Sequence, residues 1–544
     1  MAWIQIETLS GMKISPLPAG LSLQENLENR YYEEKQMTVV ATLTGASSSS
    51  NSWDTINWQS HESHVHRLQM RIAKATQEKR YGKVKSLQWL LTHSRAAKLL
   101  AVKRVVDNRG SKTAGIDKEL WLSNSAKLDA VNKLQRRGYK AEPLRRIYIP
   151  KKNGKQRPLG IPTLKDRAMQ ALHLLALEPI AEVTADKNAY GFRPKRSTAD
   201  AIEQCFKSLA RKHSPQWVLE GDIRACFDSI SHEWLRANIP MDNKMLEQWL
   251  AAGYVEKQAW YSTEAGTPQG GVISPTLLTI TLRGLEATVK GVIKTRDKVN
   301  VISYADDFVV TGATREVLEH QVKPAIITFL QERGLELSKE KTHLTSIHDG
   351  FDFLGFTLRK YDNKLLIKPS KKNVNAFLRD IRSLIKSNSA VKTESLIRLL
   401  NPKIRGWANY YRHVVAKDTL HYIDSQIFAA LTRWIKKRHP NKSAAWMQKT
   451  YFHNLGNRNW IFYAKLKGKQ PGKDYLHLFT AAKVPIRRHI KIKAEATPHD
   501  ARYIDYFIQR EQRKKIILKT ERRWSASFTD IALMDKIHLI AGSI

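Results

Sequence analysis

Apolar residues recur every three or four positions between residues 65 and 106, with polar residues between them. That spacing is typical of amphipathic α-helices that bury one face. The positions predicted to face the core are Leu68, Ile72, Ala75, Leu87, Leu90 and Leu91. The opposite face carries more positive charge than solubility requires, from Lys79, Arg80, Lys83, Lys85, Lys103 and Arg104.

A β-hairpin and a long helix are predicted next along the chain. Residues 147–150 and 157–161 are β-prone and flank the turn-forming pair Asn153-Gly154. A helix is expected from residue 165 to about residue 181. After residue 365 the pattern predicts a mostly helical and basic region that continues to about residue 470.

Three carboxylates stand beside predicted strands in the middle of the chain. The apolar residues 217–219 lead into Asp222, and two strongly β-prone segments, 299–304 and 308–311, flank Asp306 and Asp307. We therefore expect a hairpin with two carboxylates at its tip. Adjacent acids at such a place repel each other, and a bound divalent cation would remove that cost.

This set of carboxylates matches the needs of nucleotidyl transfer. Two Mg²⁺ ions about 4 Å apart stabilise the attacking 3′-oxygen and the leaving pyrophosphate together. Mg²⁺ is typically held by one or two carboxylates plus substrate phosphates. We expect Asp222 and Asp306 to bind both Mg²⁺ ions, with Asp307 beside them. An Asp-Asp pair in a turn is more often simply solvated, but its combination with Asp222 favours catalysis.

The charge of the chain points to a polyanionic partner. Its 544 residues include 91 Lys and Arg against 51 Asp and Glu, a formal charge of +40. Residues 1–60 are slightly acidic, so the remainder carries all of the excess. Such a surface favours nucleic acid first and an anionic membrane second. No apolar segment approaches 18 residues, so no membrane span and no membrane partner are expected.

The cysteines and the N-terminus add weaker constraints. Cys205 and Cys226 do not form a CxxC pair, so they are predicted to be buried thiols rather than zinc ligands. Residues 1–60 show neither a signal nor a transit pattern and are interpreted as a mobile leader. A cytoplasmic location, at the bacterial nucleoid, is expected by default, with an organelle as the alternative.

An ordered series of motifs resembles one family. The chain is similar, from about residue 60 to 515, to the reverse transcriptase–maturases encoded in bacterial and organellar group II introns. The motifs are GSKTAGID (110–117), IPKKNGKQRPLGIPTLKDRAMQ (149–170), YGFRPKRSTADA (190–201), LEGDIRACFDSISHEWL (219–235), AGTPQGGVISPTL (265–277), SYADDF (303–308), GLELSKEKT (334–342), FDFLGF (351–356) and IRGWANYYRH (404–413).

The resemblance implies a multidomain α+β fold, a right-hand polymerase followed by an α-helical thumb. After the leader, the N-terminal extension and fingers would span 61–215 and the palm 216–365. The thumb and maturase domain X would span 366–475, a small basic DNA-binding segment 476–525 and a tail 526–544. Relatives often continue into an endonuclease with paired cysteines. Since no cysteine follows Cys226, that nuclease is expected to be absent.

The resemblance also assigns residues to roles. Asp222, Asp306 and Asp307 would be catalytic. Phe227 would floor the sugar pocket and exclude a ribose 2′-hydroxyl, and Lys341 would stand near the pyrophosphate as a possible general acid. The other residues expected to bind the nucleotide are Lys151, Arg157, Ile223 and Gln269. The residues expected to bind RNA or DNA are Lys103, Arg104, Arg136, Arg137, Arg145, Arg146, Arg405, Arg412, Lys436, Lys437, Arg487 and Arg488.

The function implied is that of an RNA-directed DNA polymerase that is also an intron maturase. It would bind its group II intron RNA, assist splicing and copy the inserted intron into cDNA during retrohoming. Its partners would be the intron RNA, target DNA, an RNA template with a DNA primer, and deoxynucleoside triphosphates. Two alternatives stay open: a splicing-only maturase, and a retron-like cellular reverse transcriptase without an intron partner.

Overall fold

The structure is a computed structural model that describes residues 52–150, 154, 156–455, 458–466 and 474–516. Most of the predicted leader, the tail 526–544, Lys151 and Asn153 lie outside the described residues. The described residues from Asn57 onward belong to one compact unit. Before it stands a single 3-10 turn, Trp53–Thr55.

The N-terminal region is helical, as predicted. Its helices pack around the long helix Leu164–Thr184, which confirms the helix expected from 165 to 181. Thr163 caps that helix by accepting a hydrogen bond from the Asp166 amide. Leu90 is 45% exposed, so its predicted place in the core is wrong. The surrounding helices are Trp58–Gln77, Tyr81–His93, Arg95–Val106 and Asn124–Lys133.

The hairpin predicted before the long helix is confirmed. Leu144–Pro150 pairs antiparallel with Gln156–Ile161, and Arg145 lies opposite Ile161. On its other side Leu144–Pro150 pairs in parallel with Tyr254–Glu256, which pairs with Ala259–Tyr261. These four strands form one sheet beside the helical region.

A five-stranded sheet forms the floor of the central region. Trp217–Arg224 runs through its middle, between Asp307–Gly312 on one side and both Glu336–Leu337 and His343–Ser346 on the other. Asn300–Tyr304 adds the edge strand beside Asp307–Gly312. The helices of this region are Thr198–Leu209, Cys226–Ser229, His232–Asn238, Asn243–Leu250, Ser274–Thr281, Leu285–Gly291, Arg315–Val317 and Lys323–Gln331, with a π-turn at Leu318–Val322.

The five-stranded sheet is followed along the chain by a three-stranded meander and then by helices. The strands are Phe351–Phe353, Phe356–Tyr361 and Lys364–Pro369. Ile404 and Tyr411 are buried and Trp407 is half-buried against Phe377, so residues three or four positions apart face the core of this region. The helices are Lys371–Ser387, Thr393–Tyr411, Lys417–Arg438 and Ala444–Tyr451.

The prediction of helix up to residue 470 is wrong after Tyr451. Phe452–Leu455, Arg458–Lys465 and Tyr475–His477 form a three-stranded antiparallel sheet, here called the C-terminal sheet. Its strands alternate: Phe462 and Ala464 are buried whereas Tyr463 and Lys465 are not. A period of two favours strands, and it outweighs the helical pattern of the preceding region.

The chain then returns to the N-terminal half. Short 3-10 turns at Ala481–Lys483 and Ala501–Tyr503 interrupt an extended segment, and residues 504–516 are helical. Cys205 and Cys226 are buried free thiols, as predicted. Among the helices that the structure describes, none has the length and apolar character needed to cross a bilayer.

Candidate active site

The predicted carboxylate hairpin is present. Tyr304 and Asp307 pair across it, and Ala305 at its tip adopts a left-handed conformation with φ of 59°. Asp307 also lies directly opposite Asp222 on the neighbouring strand. The amide of Ile223 donates to the carbonyl of Asp306 over 3.4 Å. The sheet register thus brings together three carboxylates, Asp222, Asp306 and Asp307, named here the palm carboxylates.

A glycine that sequence reasoning missed seats the hairpin tip. A Cβ on Gly191 would lie 2.1 Å from the Ala305 nitrogen, closer than any real contact. Only glycine therefore permits the backbones to approach. The flanking amide of Tyr190 donates to the Ser303 carbonyl over 2.9 Å, which fixes the segment to the hairpin. The only sign of this role in the sequence is that Gly191 lies within the YGFRPKRSTADA motif.

The palm carboxylates carry negative charge that few donors satisfy. Burial raises the pKa of Asp306 above its ordinary value, and repulsion from Asp222 adds to the rise. Loss of solvation likewise raises the pKa of Asp307, and repulsion from Asp306 and Asp222 raises it further. The charge of Asp222 therefore makes ionisation of Asp306 and Asp307 more costly.

Lys341 partly offsets this charge. Its Nζ lies 2.8 Å from Oδ2 of Asp222, and this hydrogen bond raises the pKa of the lysine. The same cation acts on Asp306 and Asp307 through space. The residue stands in a turn rather than at a helix end, and it joins the palm carboxylates from the loop before His343–Ser346.

The donor chemistry of this site fits Mg²⁺. The described residues hold no group of three or more His, Cys, Asp or Glu already arranged around one point. Mg²⁺ does not require one, because one or two carboxylates, waters and substrate phosphates usually complete its shell. Asp222 and Asp306 offer hard oxygen donors, and both burial and repulsion from Asp222 raise the pKa of Asp306, so a bound cation would relieve that repulsion.

A pocket adjoins the helical turn Cys226–Ser229, which contributes Asp228 to its lining. Phe227 lies on the short helical turn Cys226–Ser229, half-buried, and packs edge-to-face against Phe192 with centroids 6.1 Å apart. Phe227 is absent from the buried core, so its ring is available to a ligand. Phe192, 48% exposed, was missed by sequence reasoning although it follows Gly191 in the same motif.

A glycine-containing loop forms the next wall of the pocket. Gln269 donates from Nε2 to Oδ2 of Asp228 over 3.1 Å, and the amide of Thr267 donates to the carbonyl of Phe227. Gly266 has φ of 87° and would clash with the backbone at Asp228 if it carried a Cβ. A cavity of about 390 Å³ adjoins this loop and reaches the strand Leu144–Pro150.

The other residues predicted to bind the nucleotide differ in where they lie. Arg157 is exposed on Gln156–Ile161, and its charge acts to lower the pKa of Asp306, so it lies within electrostatic reach of the palm carboxylates. The Ile223 side chain is buried, which leaves only its backbone to face a ligand. Lys151 lies outside the described residues.

Several residues predicted to bind RNA or DNA are engaged within the protein. Lys103 pairs with Asp107 over 2.6 Å, and Arg136 pairs with Asp242. The remaining contacts are cation–π: Arg146 over Tyr254, Arg405 over Phe479 and Arg488 over Phe206. Arg104, Arg137, Arg145, Lys436 and Lys437 are exposed, whereas Arg412 and Arg487 are half-buried.

Three carboxylates brought together on adjacent strands of a sheet are the arrangement that a nucleotidyl-transferring polymerase requires. Comparison with known proteins identifies its kind. The family model described as "Reverse transcriptase (RNA-dependent DNA polymerase)" matches residues 149–358, and "N-terminal domain of reverse transcriptase" matches 53–142. "Group II intron, maturase-specific domain" matches residues 374–452.

Individual relatives agree with these matches. Protein YkfC of Escherichia coli is 32% identical over 303 residues, which are 47% of this chain and 79% of that protein. The group II intron-encoded protein LtrA of Lactococcus lactis is 27% identical, over 71% of this chain and 80% of its own length. A telomerase structure from Candida albicans matches 56% of this chain and 60% of its own, with 13% identity and a TM-score of 0.33, too low to support an argument.

The chain therefore belongs to the group II intron-encoded reverse transcriptase–maturases. It is an RNA-directed DNA polymerase with a maturase domain, and the predicted fold of fingers, palm and helical domain is confirmed. Reverse transcriptase and maturase domains imply RNA, DNA and nucleotides as partners, and reverse transcriptases generally use divalent metal ions.

Proposed function

We propose that the chain extends a DNA primer on an RNA template at Asp222, Asp306 and Asp307. One observation carries the assignment: the sheet register sets Asp307 opposite Asp222, with Asp306 beside both. Asp222 and Asp306 would hold two Mg²⁺ ions. When bound, these ions stabilise the charge on the attacking 3′-oxygen and the leaving pyrophosphate.

The protein's own side chains would position the nucleotide. The ring of Phe227 would lie under the deoxyribose, where a ribose 2′-hydroxyl would collide with it. Arg157, together with Lys151, would pair with phosphate oxygens, since guanidinium and ammonium groups form strong charge-assisted hydrogen bonds there. Gln269 and the backbone of Ile223 would line the pocket. Lys341 would give a proton to the pyrophosphate as it leaves, from its place at Asp222.

The test is primer extension on poly(rA) with oligo(dT), Mg²⁺ and dTTP. Wild-type protein should extend the primer, and Asp306→Ala should lower the rate by at least about 10³-fold, because charge stabilisation at the reacting centre is lost. Asp349→Ala, at an exposed acid outside the pocket, is the matched control. Retained extension by Asp306→Ala would refute the site.

The second part of the proposal is intron RNA binding and splicing. The maturase-specific match covers the helices whose outer surface carries Arg405, Lys436 and Lys437. Contacts from such residues to phosphates fix the register of an RNA without reading its bases. Asp306→Ala should still support splicing of the host intron while it makes no cDNA. If a folded Asp306→Ala variant lost both splicing and cDNA synthesis, the proposal that the two activities use separate surfaces would be contradicted.

The product of these activities would be retrohoming, in which the inserted intron RNA is copied into cDNA at a target DNA. The limits predicted for the fingers (61–215), palm (216–365), thumb (366–475) and DNA-binding segment (476–525) belong to this proposal. So does the cytoplasmic location. Replacement of the exposed residues Arg513, Lys514 and Lys515 by Ala should weaken target-DNA binding but spare intron RNA binding, and equal loss of both would remove the DNA-binding assignment.

A further inference from the structure

The C-terminal sheet has two unlike faces. Strand register places Phe452 opposite Phe462, and Ala464 opposite Leu476, on the face that packs into the protein core. The alternate positions form the other face, named here the outer face. Its members are His453, Ile461, Tyr463, Lys465, Tyr475 and His477. Tyr463 and Tyr475 do not pack against that core.

Four aromatic rings of the outer face form a continuous cluster. The ring of His453 lies 5.1 Å from both Tyr463 and Tyr475, measured between centroids. It also stacks on His477, 5.6 Å away with 9° between the planes. Tyr463 and Tyr475 are 5.6 Å apart. Tyr475 remains 43% exposed, so a flat ligand can reach the cluster.

The charge around the sheet is strongly one-sided. Between residues 425 and 494 the sequence carries sixteen Lys and Arg, and Asp474 is the single acidic residue. Lys465 lies across from Tyr475 on the outer face. Lys483 is near enough to His477 to act on its pKa. Aromatic rings set among cations suit a ligand that has flat bases and a negative backbone.

His477 offers an aromatic surface rather than a cation. Burial, followed by repulsion from His453 and Lys483, lowers the pKa of His477 to about 4, so its ring is neutral at physiological pH. His453 Nδ1 and His477 Nε2 lie 3.3 Å apart and share a hydrogen bond. A metal would need further ligands, and the described residues offer no such set.

We propose that the outer face of the C-terminal sheet binds single-stranded nucleic acid by stacking unpaired bases on Tyr475, Tyr463 and His453. Stacking tolerates any base because each has a π-face, and nearby lysines neutralise the phosphates. The site lies outside the pocket at the palm carboxylates and beyond the part matched by the maturase domain, which ends at residue 452. A protein partner would instead need acidic side chains to suit these cations.

Photo-crosslinking tests the contact directly. Full-length protein is irradiated with single-stranded 15-mers that carry 5-iodouracil, one set RNA and one set DNA, and the crosslinked peptides are identified by mass spectrometry. Crosslinks at Tyr463, Tyr475 or His453 are expected. Crosslinks with RNA alone would identify an intron or template segment, and crosslinks with DNA alone a target strand. Crosslinks confined to other regions in both arms would overturn the proposal.

Affinity measurements test stacking against simple charge attraction. Tyr475→Ala should weaken binding of the 15-mer about 5- to 100-fold, the usual range for one stacked base. Tyr475→Phe, which keeps the ring, should bind as wild type, and Tyr422→Ala, at a tyrosine 49% exposed on Lys417–Arg438, is the matched control. Thermal melting checks that each variant is folded.

An abasic 15-mer separates the two causes further. It keeps the phosphates but offers no bases, so wild-type protein should bind it more weakly than the normal strand, and Tyr475→Ala should bind the two strands more nearly alike. Equal binding of both strands by wild-type protein would show that the face attracts phosphate only and would overturn the stacking site. The readout does not depend on primer extension, so it stands apart from the polymerase assignment.

Discussion

Asp200 and the palm carboxylates are acidic residues with opposite hydrogen-bonding environments, and the pKa of Asp200 is lowered whereas that of Asp306 is raised. Asp200 is 1% exposed, and burial alone would raise its pKa. Hydrogen bonds reverse that effect and lower the pKa to about 2. The donors to its two oxygens are His489 Nε2, Ile492 N, Arg510 Nη2 and both N and Oγ of Ser197.

The palm carboxylates have few such donors. Lys341 reaches Asp222, while Asp306 and Asp307 retain raised pKa values. Asp200 therefore holds the returning C-terminal segment in place, and its charge is satisfied within the protein. The palm carboxylates keep a charge that metal ions and substrate can satisfy. Asp200 is both buried and hydrogen-bonded by several donors, whereas Asp222 and Asp306 are half-buried, Asp307 is exposed, and fewer donors reach them.

The largest effect on stability should come from Asp200→Ala. Removal of Asp200 takes the acceptor from Nη2 of Arg510 and from the neighbouring donors, and the loss of one partner of a buried pair typically costs about 3–5 kcal/mol. The free energy of unfolding in urea measures it. Glu495→Gln, at the exposed pair with Lys187, is the control and should change stability by less than about 1 kcal/mol. Equal effects would mean that Asp200 is not a structural acid.

Phe227→Ala should act on selectivity with little effect on stability. Its half-buried ring lies outside the core, and its loss opens room for a 2′-hydroxyl. Discrimination between dTTP and UTP should fall by about 10²-fold, the scale on which a pocket rejects an added hydroxyl. The ratio of kcat/KM for the two nucleotides is the measurement, with Phe192→Ala for comparison. Unchanged selectivity would place the sugar elsewhere.

Asp307→Asn should stabilise the protein slightly when a chelator removes divalent ions. The raised pKa of Asp307 means that its ionised form is disfavoured in the folded state, so the asparagine removes a repulsion at pH 7. We expect Tm to rise by about 1–2 °C. The gain should shrink towards pH 4, where the carboxyl of the wild type is protonated. If Asp307→Asn had a lower Tm than the wild type at pH 7, the proposed repulsion between Asp307 and its neighbouring carboxylates would be contradicted.

The smallest effect should be the opposite pH response of Asp200. Its pKa is lowered from 3.8 to about 2, so its contribution to stability is complete above pH 4 and declines as pH falls towards 2. The difference in unfolding free energy between wild type and Asp200→Asn should therefore narrow between pH 4 and pH 2. If this difference in unfolding free energy grew as the pH fell, the pKa of Asp200 would be raised rather than lowered, and its carboxylate would not be stabilised by hydrogen bonds.

Local sequence carried enough information to predict the catalytic hairpin. Val299 to Tyr304 and the residues after Asp307 are strongly β-prone, and adjacent acids between them required a turn at the edge. The same holds for Leu164–Thr184, whose apolar content and Thr163 cap are local signals. These elements could be predicted because their neighbours in sequence are also their neighbours in space.

The features that were not predicted depend on contacts between residues that are far apart in the sequence. The donors to Asp200 from His489, Ile492 and Arg510 come from about 300 positions away, which no periodicity records. The C-terminal sheet was missed because its outer strands have only four and three residues and the sheet follows four helices. Gly191 belongs to a motif in the sequence, but only the structure shows that the Ala305 backbone lies too close to it for a side chain to fit.

The central claim is that the charge of Asp306 serves the reaction and that of Asp200 serves the fold. Asp306→Asn and Asp200→Asn each remove one negative charge without a change in size, and both are compared for incorporation of the first dTMP per folded molecule and for Tm. Asp306→Asn should lose at least about 10³-fold in rate with an unchanged or higher Tm. Asp200→Asn should melt lower but retain the wild-type rate. The reverse pattern would contradict the account.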